Sequence, residues 1–146
     1  MTKNMNGEFL DGHDNCIICG RNNPFSLGLK FQPVSGIGGN GGNAVEAAFT
    51  GGPHLQGYEG ILHGGVISAV LDSAMAHCLL VQDIKAVTGD LRVRFLHAIP
   101  CTSKVIIRAW LTCAVSTLYE LKAEARVDGK LVARAKAKFM QKEGVK

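Results

Sequence analysis

The chain has 146 residues, which fits one domain built around one hydrophobic core. Apolar residues make up 47% of it and charged residues 19%, as in an ordinary soluble globular domain, and a net charge of +4 is far too small for a nucleic-acid-binding composition. The longest nearly apolar stretch, residues 66–81, is too short and too polar to span a bilayer, and no apolar secretory segment is seen at the start of the sequence. We therefore expect a cytoplasmic protein with no membrane or nucleic-acid partner.

The part of the chain before the long apolar stretch is predicted to form two strands. Side chains alternate in character over residues 27–31, which predicts the first strand, and residues 44–50 are predicted as the second. Residues 36–43 between them are mostly glycine and asparagine, which favours a hairpin loop. They match the spacing G-x-G-x-x-G, but a strand and not a helix follows, so no dinucleotide site is expected. Residues 51–60 hold four glycines and a proline, and no regular structure is expected there.

Residues 63–81 show a helical pattern that is apolar on nearly every face, which predicts one long buried helix. Four strand patterns follow, with a strong hairpin turn at Asp128-Gly129 before the last. These strands are predicted at residues 86–96, 103–114, 116–127 and 130–140.

The resulting order, β-β-α-β-β-β-β, predicts the α+β class, with a curved antiparallel sheet wrapped around one central helix. We expect a flexible N-terminal arm at residues 1–15 and a single domain over residues 16–146. A sheet of this size covers only part of the helix. The uncovered side predicts a partner chain.

The most informative motif lies at the start of the helix, where residues 60–72 read GILHGGVISAVLD. Together with the segments LQG at 55–57, VTGDL at 87–91 and C-x-x-C-G at 16–20, it resembles the hotdog-fold acyl-CoA thioesterases of the phenylacetyl-CoA and 4-hydroxybenzoyl-CoA type. The resemblance covers residues 16–140. It implies a hotdog fold and the hydrolysis of an acyl-CoA to a carboxylic acid and CoA, without a cofactor.

Asp72 is the candidate nucleophile or general base. A carboxylate within an apolar helix is costly to bury unless it is paired or hydrogen-bonded, and burial raises its pKa and its basicity. Either role would serve thioester hydrolysis. The alternative is a structural acid that bonds to a neighbouring strand or to Ser68, one turn earlier on the same face.

Gly64 and Gly65 are the candidate oxyanion hole, because the first N–H groups of a helix are unpaired and glycine lets a carbonyl approach closely. The alternative is that His63 caps the helix and the glycines allow tight packing. Gly64 and Asp72 are eight residues apart, or about 12 Å along a helix axis, so they cannot both reach one carbon atom. If both are catalytic, the glycines must belong to a second subunit. We therefore expect a homodimer, or a dimer of two such dimers, with two sites per dimer.

The resemblance implies further site residues. Thr88 matches a Ser or Thr that orients the water in relatives, although an ordinary strand threonine is nearly as good an interpretation. Many relatives have an Asn six residues before the His-Gly-Gly histidine. Gly57 stands there in this chain, and Gln56 is the candidate substitute. His63 is expected to orient the site instead of acting as a base, and His77 is expected to be a hydrogen-bonded core residue.

Two sets of cations could bind the phosphates of CoA, because each set shares one face of a strand. Arg92 and Arg94 lie in one strand, and Arg134, Lys136 and Lys138 lie in the last. The alternative is a solvated strand face.

The segment His13-x-x-Cys16-x-x-Cys19 has the spacing of three zinc ligands. No fourth ligand is evident nearby, although His54 could reach, and an odd number of cysteines, five, indicates reduced thiols and not a disulfide framework. The favoured interpretation is a protein without a metal, and the sequence leaves the question open.

Two other functions fit the same fold. One is an enoyl-CoA hydratase or dehydratase with His63 as the base, and the other is a non-catalytic module that binds acyl-CoA or acyl carrier protein. The identity of the acyl group is not readable from the sequence, because the pocket walls come from several elements and from the partner chain.

Overall fold

A computed structural model describes residues 12–35 and 44–141. The hairpin loop predicted at residues 36–43 and most of the predicted N-terminal arm lie outside the described residues. Within them, one long helix, α1, runs from Gly64 to Leu80, and six strands form one antiparallel sheet. The strands are β1 (Gln32–Val34), β2 (Ala44–Thr50), β3 (Ala86–Phe95), β4 (Lys104–Val115), β5 (Leu118–Val127) and β6 (Lys130–Gln141).

The order of strands across the sheet is β1-β2-β4-β5-β6-β3, and α1 packs against β2 through β6. Small alanine side chains on the inner faces of β5 and β6 let the helix approach the sheet closely, among them Ala123 and Ala135. Leu71, Met75 and Leu79 of the helix are fully buried, and each such side chain contributes about 1.5–3 kcal/mol. This is the predicted hotdog fold, and the prediction of a sheet wrapped around one helix is confirmed. No helix in the described ranges is long and apolar enough to cross a membrane.

The strand predicted at residues 27–31 is wrong, since the first strand lies at Gln32–Val34. Leu29 and Phe31 are buried as the alternation indicated. However, Gly28 has a left-handed φ of 66°, which interrupts an extended strand. The N–H groups of Leu27 and Leu29 bond to the carbonyls of residues 17 and 18 in the preceding loop and not to a strand.

The segment before the helix also differs from expectation, because residues 51–60 contain a short 3₁₀ helix at Pro53–Leu55. Proline supplies its first residue, where the missing N–H costs nothing.

Strand β3 lies at the edge of the sheet and pairs only with β6 among the described strands. Its side chains are largely exposed in the single chain, and Leu91 and Phe95, which point to the same side as the helix, are 36% and 51% exposed. The edge of β3 and the flank of the helix beside it are thus open for another chain.

Candidate active site

The helix N-terminus is built by His63, the residue that caps it. His63 has extended backbone angles (φ −62°, ψ 131°), and its ring Nδ1 accepts a hydrogen bond of 2.8 Å from the N–H of Gly65. Within the described ranges, no acceptor is present for the N–H of Gly64. The Gly65 N–H is thus already engaged, and the Gly64 N–H is the donor that remains for a substrate carbonyl.

The cap also bears on the role of His63 itself. An Nδ1 that accepts the Gly65 N–H places the ring proton of a neutral imidazole on Nε2, so the one lone pair in the ring plane is already engaged in the cap. This geometry supports the expected orienting role. It disfavours His63 as a base, and with it the hydratase alternative.

Asp72 lies in the middle of α1 and faces β3. Its Oδ1 accepts a hydrogen bond of 2.6 Å from the hydroxyl of Thr88. Burial raises the pKa of Asp72 above its usual value, and the bond from Thr88 partly opposes that rise. Ser68 instead donates to the carbonyl of Gly64, at 3.0 Å, so the suggested bond between Ser68 and Asp72 is wrong.

Thr88 reaches Asp72 because strand β3 has a bulge. The register of β3 against β6 pairs Thr88 with the buried Phe139 and then Asp90 with the exposed Lys138, which leaves Gly89 as the extra residue. A bulge of one residue reverses the direction in which the preceding side chains point. Without it, Thr88 would lie on the outer face of the sheet with Asp90.

The two parts of the candidate site lie apart on the same helix. Gly64 contacts the ring of Phe95, and a Cβ atom at Gly64 would lie 3.3 Å from its Cζ. Asp72 lies eight residues further along, about 12 Å on the helix axis. No single thioester carbon can contact both within one chain.

Gln56 lies beside the helix N-terminus, where its Oε1 accepts a hydrogen bond of 2.8 Å from the N–H of Gly60. Gln56, His63 and Gly65 line an apolar cavity of about 440 Å³. Gly57 contacts the ring of His63, and a Cβ there would lie 3.3 Å from Cδ2. The Asn of relatives is therefore replaced by a residue with no side chain beside His63, and the amide nitrogen of Gln56 is a donor that remains at the cavity.

The predicted cations lie on the outer face of the sheet. Arg92 is opposite Lys136 and Arg94 is opposite Arg134 across β3 and β6, and these four line a groove of about 400 Å³. Lys138 lies outside that groove, 3.9 Å from the carboxylate of Glu120. The structure therefore brings four of the five residues into this groove, and Lys138 lines an adjoining groove of about 330 Å³ with Arg92 and Lys136.

The possible metal ligands also cluster, with one difference from expectation. Ligand atoms of His13, Cys16 and Cys19 lie within 4.8 Å of one another. His54 lines the cavity beside His63 instead, and the fourth side chain at the cluster is His77, whose Nε2 lies 3.2 Å from Cys19 Sγ. Burial, with a smaller contribution from the neighbouring His13, lowers the pKa of His77 to about 4. His77 is thus a buried and hydrogen-bonded core residue, as predicted.

The antiparallel sheet around one helix, with a His-Gly-Gly turn at the start of that helix and an acid within it, defines a hotdog-fold protein of the thioesterase type. The model of the thioesterase superfamily matches residues 59–134, more than half of the chain, and the chain belongs to that family.

The chain is 33% identical over 87 residues to the bovine acyl-coenzyme A thioesterase THEM4. The aligned region covers 60% of this chain and 35% of the relative. The chain spans only about a third of the length of the curated relatives that it matches. Among solved structures, it is similar to a phenylacetic acid degradation-related protein of Ralstonia eutropha, with 25% identity, a TM-score of 0.67 and coverage of 78% of this chain and 85% of the other. It shares its fold with a Streptococcus mutans protein bound to acetyl CoA, with 19% identity, a TM-score of 0.68 and coverage of 80% and 92%.

Proposed function

We propose that this protein is an acyl-CoA thioesterase that hydrolyses a thioester to a carboxylic acid and CoA. The observation that carries the proposal is the hydrogen-bonded pair of Asp72 and Thr88 on a helix that begins with His-Gly-Gly, in a chain of the thioesterase superfamily. The similarity to THEM4 and to an acetyl-CoA-bound protein of the same fold agrees with an acyl-CoA substrate.

In the proposed reaction, ionised Asp72 takes a proton from a water molecule, and the resulting hydroxide adds to the thioester carbonyl carbon. The carbonyl oxygen then carries the negative charge and accepts the N–H of Gly64 from the partner subunit. When the carbonyl re-forms, the carbon–sulfur bond breaks, and the leaving sulfur of CoA takes the proton that Asp72 held, which restores the carboxylate. Thr88 holds the Asp72 carboxylate in position through its hydroxyl.

The same arrangement also serves direct attack by Asp72, which forms a mixed anhydride that water then hydrolyses. Single-turnover hydrolysis in water labelled with oxygen-18 tests for the anhydride. A general base always leaves Asp72 unlabelled, so a label in the Asp72 carboxylate identifies a nucleophile whose anhydride water attacks at the Asp72 carbonyl.

The proposed active unit is a homodimer, because Gly64 and Asp72 of one helix cannot reach one carbon atom. The open edge of β3, next to Thr88, offers a surface on which a second copy could place its helix N-terminus beside Asp72. Each dimer then holds two equivalent sites. The basic groove between β3 and β6 is the proposed contact for CoA phosphates.

The test is Asp72→Asn assayed against short, medium and aromatic acyl-CoAs. Loss of the base or nucleophile should lower kcat/KM by at least about 10²–10⁴-fold. Asp90→Asn is the matched control, because Asp90 lies on the outer face of the neighbouring strand, and it should keep its activity. Size-exclusion chromatography should give the same oligomer for all three proteins. An Asp72→Asn variant that hydrolyses as fast as the parent would exclude this mechanism.

A further inference from the structure

A second cluster of reactive side chains lies between the N-terminal segment and the later half of α1, and the proposed thioesterase reaction does not use it. Its members are His13, Cys16 and Cys19 from one loop and His77 from the helix. We propose that these four side chains bind a Zn²⁺ ion as a Cys₂His₂ site. This departs from the metal-free interpretation of the sequence, and it stands or falls independently of the thioesterase proposal.

The distances suit a tetrahedral ion. Nδ1 of His13 lies 3.6 Å from Sγ of Cys19, and Nε2 of His77 lies 3.2 Å from the same sulfur. Sulfur and nitrogen ligands at the usual zinc bond lengths are about 3.6 Å apart along the edge of a tetrahedron. Ligand atoms of His13, Cys16 and Cys19 lie within 4.8 Å of one another, and His77 joins them through Cys19, so an ion would draw His77 and the loop together around it.

The chemistry of the four side chains suits zinc. The sulfur of Cys19 is both a weak donor and a weak acceptor, and two ring nitrogens approach it. A zinc ion would accept electron pairs from both rings and from both sulfurs. Among the divalent ions, zinc favours this mixture of thiolate and imidazole ligands because it is of intermediate softness.

The backbone of the loop is built tightly around the two cysteines. The N–H of Ile18 donates to Sγ of Cys16 at 3.4 Å, and the N–H of Gly20 donates to the Cys16 carbonyl at 2.8 Å. A Cβ atom at Gly20 would lie 2.4 Å from the nitrogen of Cys16, so only glycine fits there. The fold of the loop thus requires the glycine of the C-x-x-C-G segment, and it brings the two sulfurs within 4.8 Å of each other.

His77 is held in a fixed position by its surroundings. It is 7% exposed, its ring stacks on Phe31 with centroids 4.6 Å apart, and it meets the ring of His13 edge-on at 5.5 Å. A ligand fixed in this way loses little freedom when a metal binds.

Four protein ligands leave no open position, so the proposed ion is structural and not catalytic. It would fasten the N-terminal loop to α1 across 58 residues of sequence. Ile17 and Ile18, between the two cysteines, line the apolar cavity beside His63. The ion would therefore also hold one wall of that cavity in place.

The experiment uses the full chain, purified without a polyhistidine tag and under reducing conditions, and measures zinc by elemental analysis. We expect about one zinc ion per chain in the parent. Cys16→Ser and Cys19→Ser should lose it, while Cys113→Ser, an exposed cysteine on β4, should retain it. Asp72→Asn should retain the zinc as well, so failure of the metal site and failure of the thioesterase proposal are distinguishable.

A second measurement does not depend on how well the variants fold. Parent protein stripped of metal with a chelator and titrated with Co²⁺ should show a thiolate-to-cobalt charge-transfer band and the intense visible bands of a tetrahedral site. The proposal is overturned if the reduced parent binds neither zinc nor cobalt, or if the cysteine variants hold as much metal as the parent. It is likewise overturned if Cys16 and Cys19 form a disulfide and, after reduction, still bind no metal.

Discussion

Asp72 shows how function and stability oppose each other at a single residue. Burial raises its pKa, so the folded state favours the protonated carboxyl. A group with a raised pKa stabilises the fold fully below its unfolded pKa, and that contribution is lost as the pH rises through the folded pKa. Above its folded pKa, Asp72 is an ionised, half-buried carboxylate, and that form makes the fold less stable. The same ionised form is the one that the proposed reaction needs.

The hydroxyl of Thr88 is predicted to influence the pH at which Asp72 becomes ionised. Its hydrogen bond favours the ionised carboxylate, so Thr88→Val should raise the pKa of Asp72 further. The acid side of the pH profile of kcat/KM should then move to higher pH. At neutral pH, kcat/KM should fall by about ten-fold to a hundred-fold, which corresponds to the free energy of a hydrogen bond to a charged group.

Thr88→Ser is the matched control, because it keeps the hydroxyl and removes only a methyl group. Its pH profile should overlay that of the parent. If the valine variant also overlays the parent, the bond seen between Thr88 and Asp72 has no part in the reaction.

At the level of elements, the start of helix α1 allows an unusually clean test of the oxyanion donor. Gly64 is the first helical residue after the cap, a position where proline fits, and His63 has the extended ψ of 131° that a following proline requires. Gly64→Pro therefore deletes one N–H and should leave the helix intact. We expect kcat to fall by about 10²–10³-fold, as for the loss of one oxyanion donor.

Gly64→Ala is the matched control, because it keeps the N–H of residue 64. Both variants add a Cβ atom that lies against Phe95, so the control accounts for that contact. It should lose far less activity than Gly64→Pro at similar thermal stability. Equal losses would mean that the space at Gly64 matters and its N–H does not.

The elements themselves were predictable where the local pattern decides the structure. The continuous apolar run predicted a helix over residues 63–81, and the helix spans Gly64–Leu80. For a helix that is buried on all sides, the capping residue and the length of the apolar run determine where it begins and ends. The bulge at Gly89 was not predictable, because strict alternation gives Thr88 the wrong face. The contact between His77 and Cys19 was not predictable either, because it depends on how the chain folds back over 58 residues.

At the scale of the whole molecule, the basic groove on the outer sheet face is predicted to bind CoA. Arg94→Glu and Arg134→Glu should raise KM for acyl-CoA about ten-fold or more and leave kcat nearly unchanged, because they remove contacts to phosphates far from the reacting carbon. Lys138→Glu is the control, since Lys138 lies outside the groove beside Glu120. A KM that does not move in the arginine variants would make the groove an ordinary solvated face.

If the active site is shared between subunits as proposed, two inactive chains should restore each other's activity. A mixed dimer of one Asp72→Asn chain and one Gly64→Pro chain has one site with both defects and one site with neither, because each site takes its acid from one subunit and its N–H from the other. Random reassembly of equal amounts should give about a quarter of the parent's activity, since half of the dimers are mixed and each has one intact site. Each variant alone should stay inactive after the same treatment.

Sites contained within one chain predict the opposite result. Every chain in the mixture then carries one defect, so no combination of subunits produces an intact site and the activity stays at the sum of the two variants. A mixture of Asp72→Asn with Thr88→Val is the matched control, because Thr88 and Asp72 are bonded within one chain and lie on the same side of the proposed interface. In that mixture each mixed dimer has one site with the Asp72 defect and one with the Thr88 defect, so reassembly should not raise activity above the separate proteins. The acid and the N–H donor would be assigned to different subunits if activity returns when Asp72→Asn is mixed with Gly64→Pro and does not return when it is mixed with Thr88→Val.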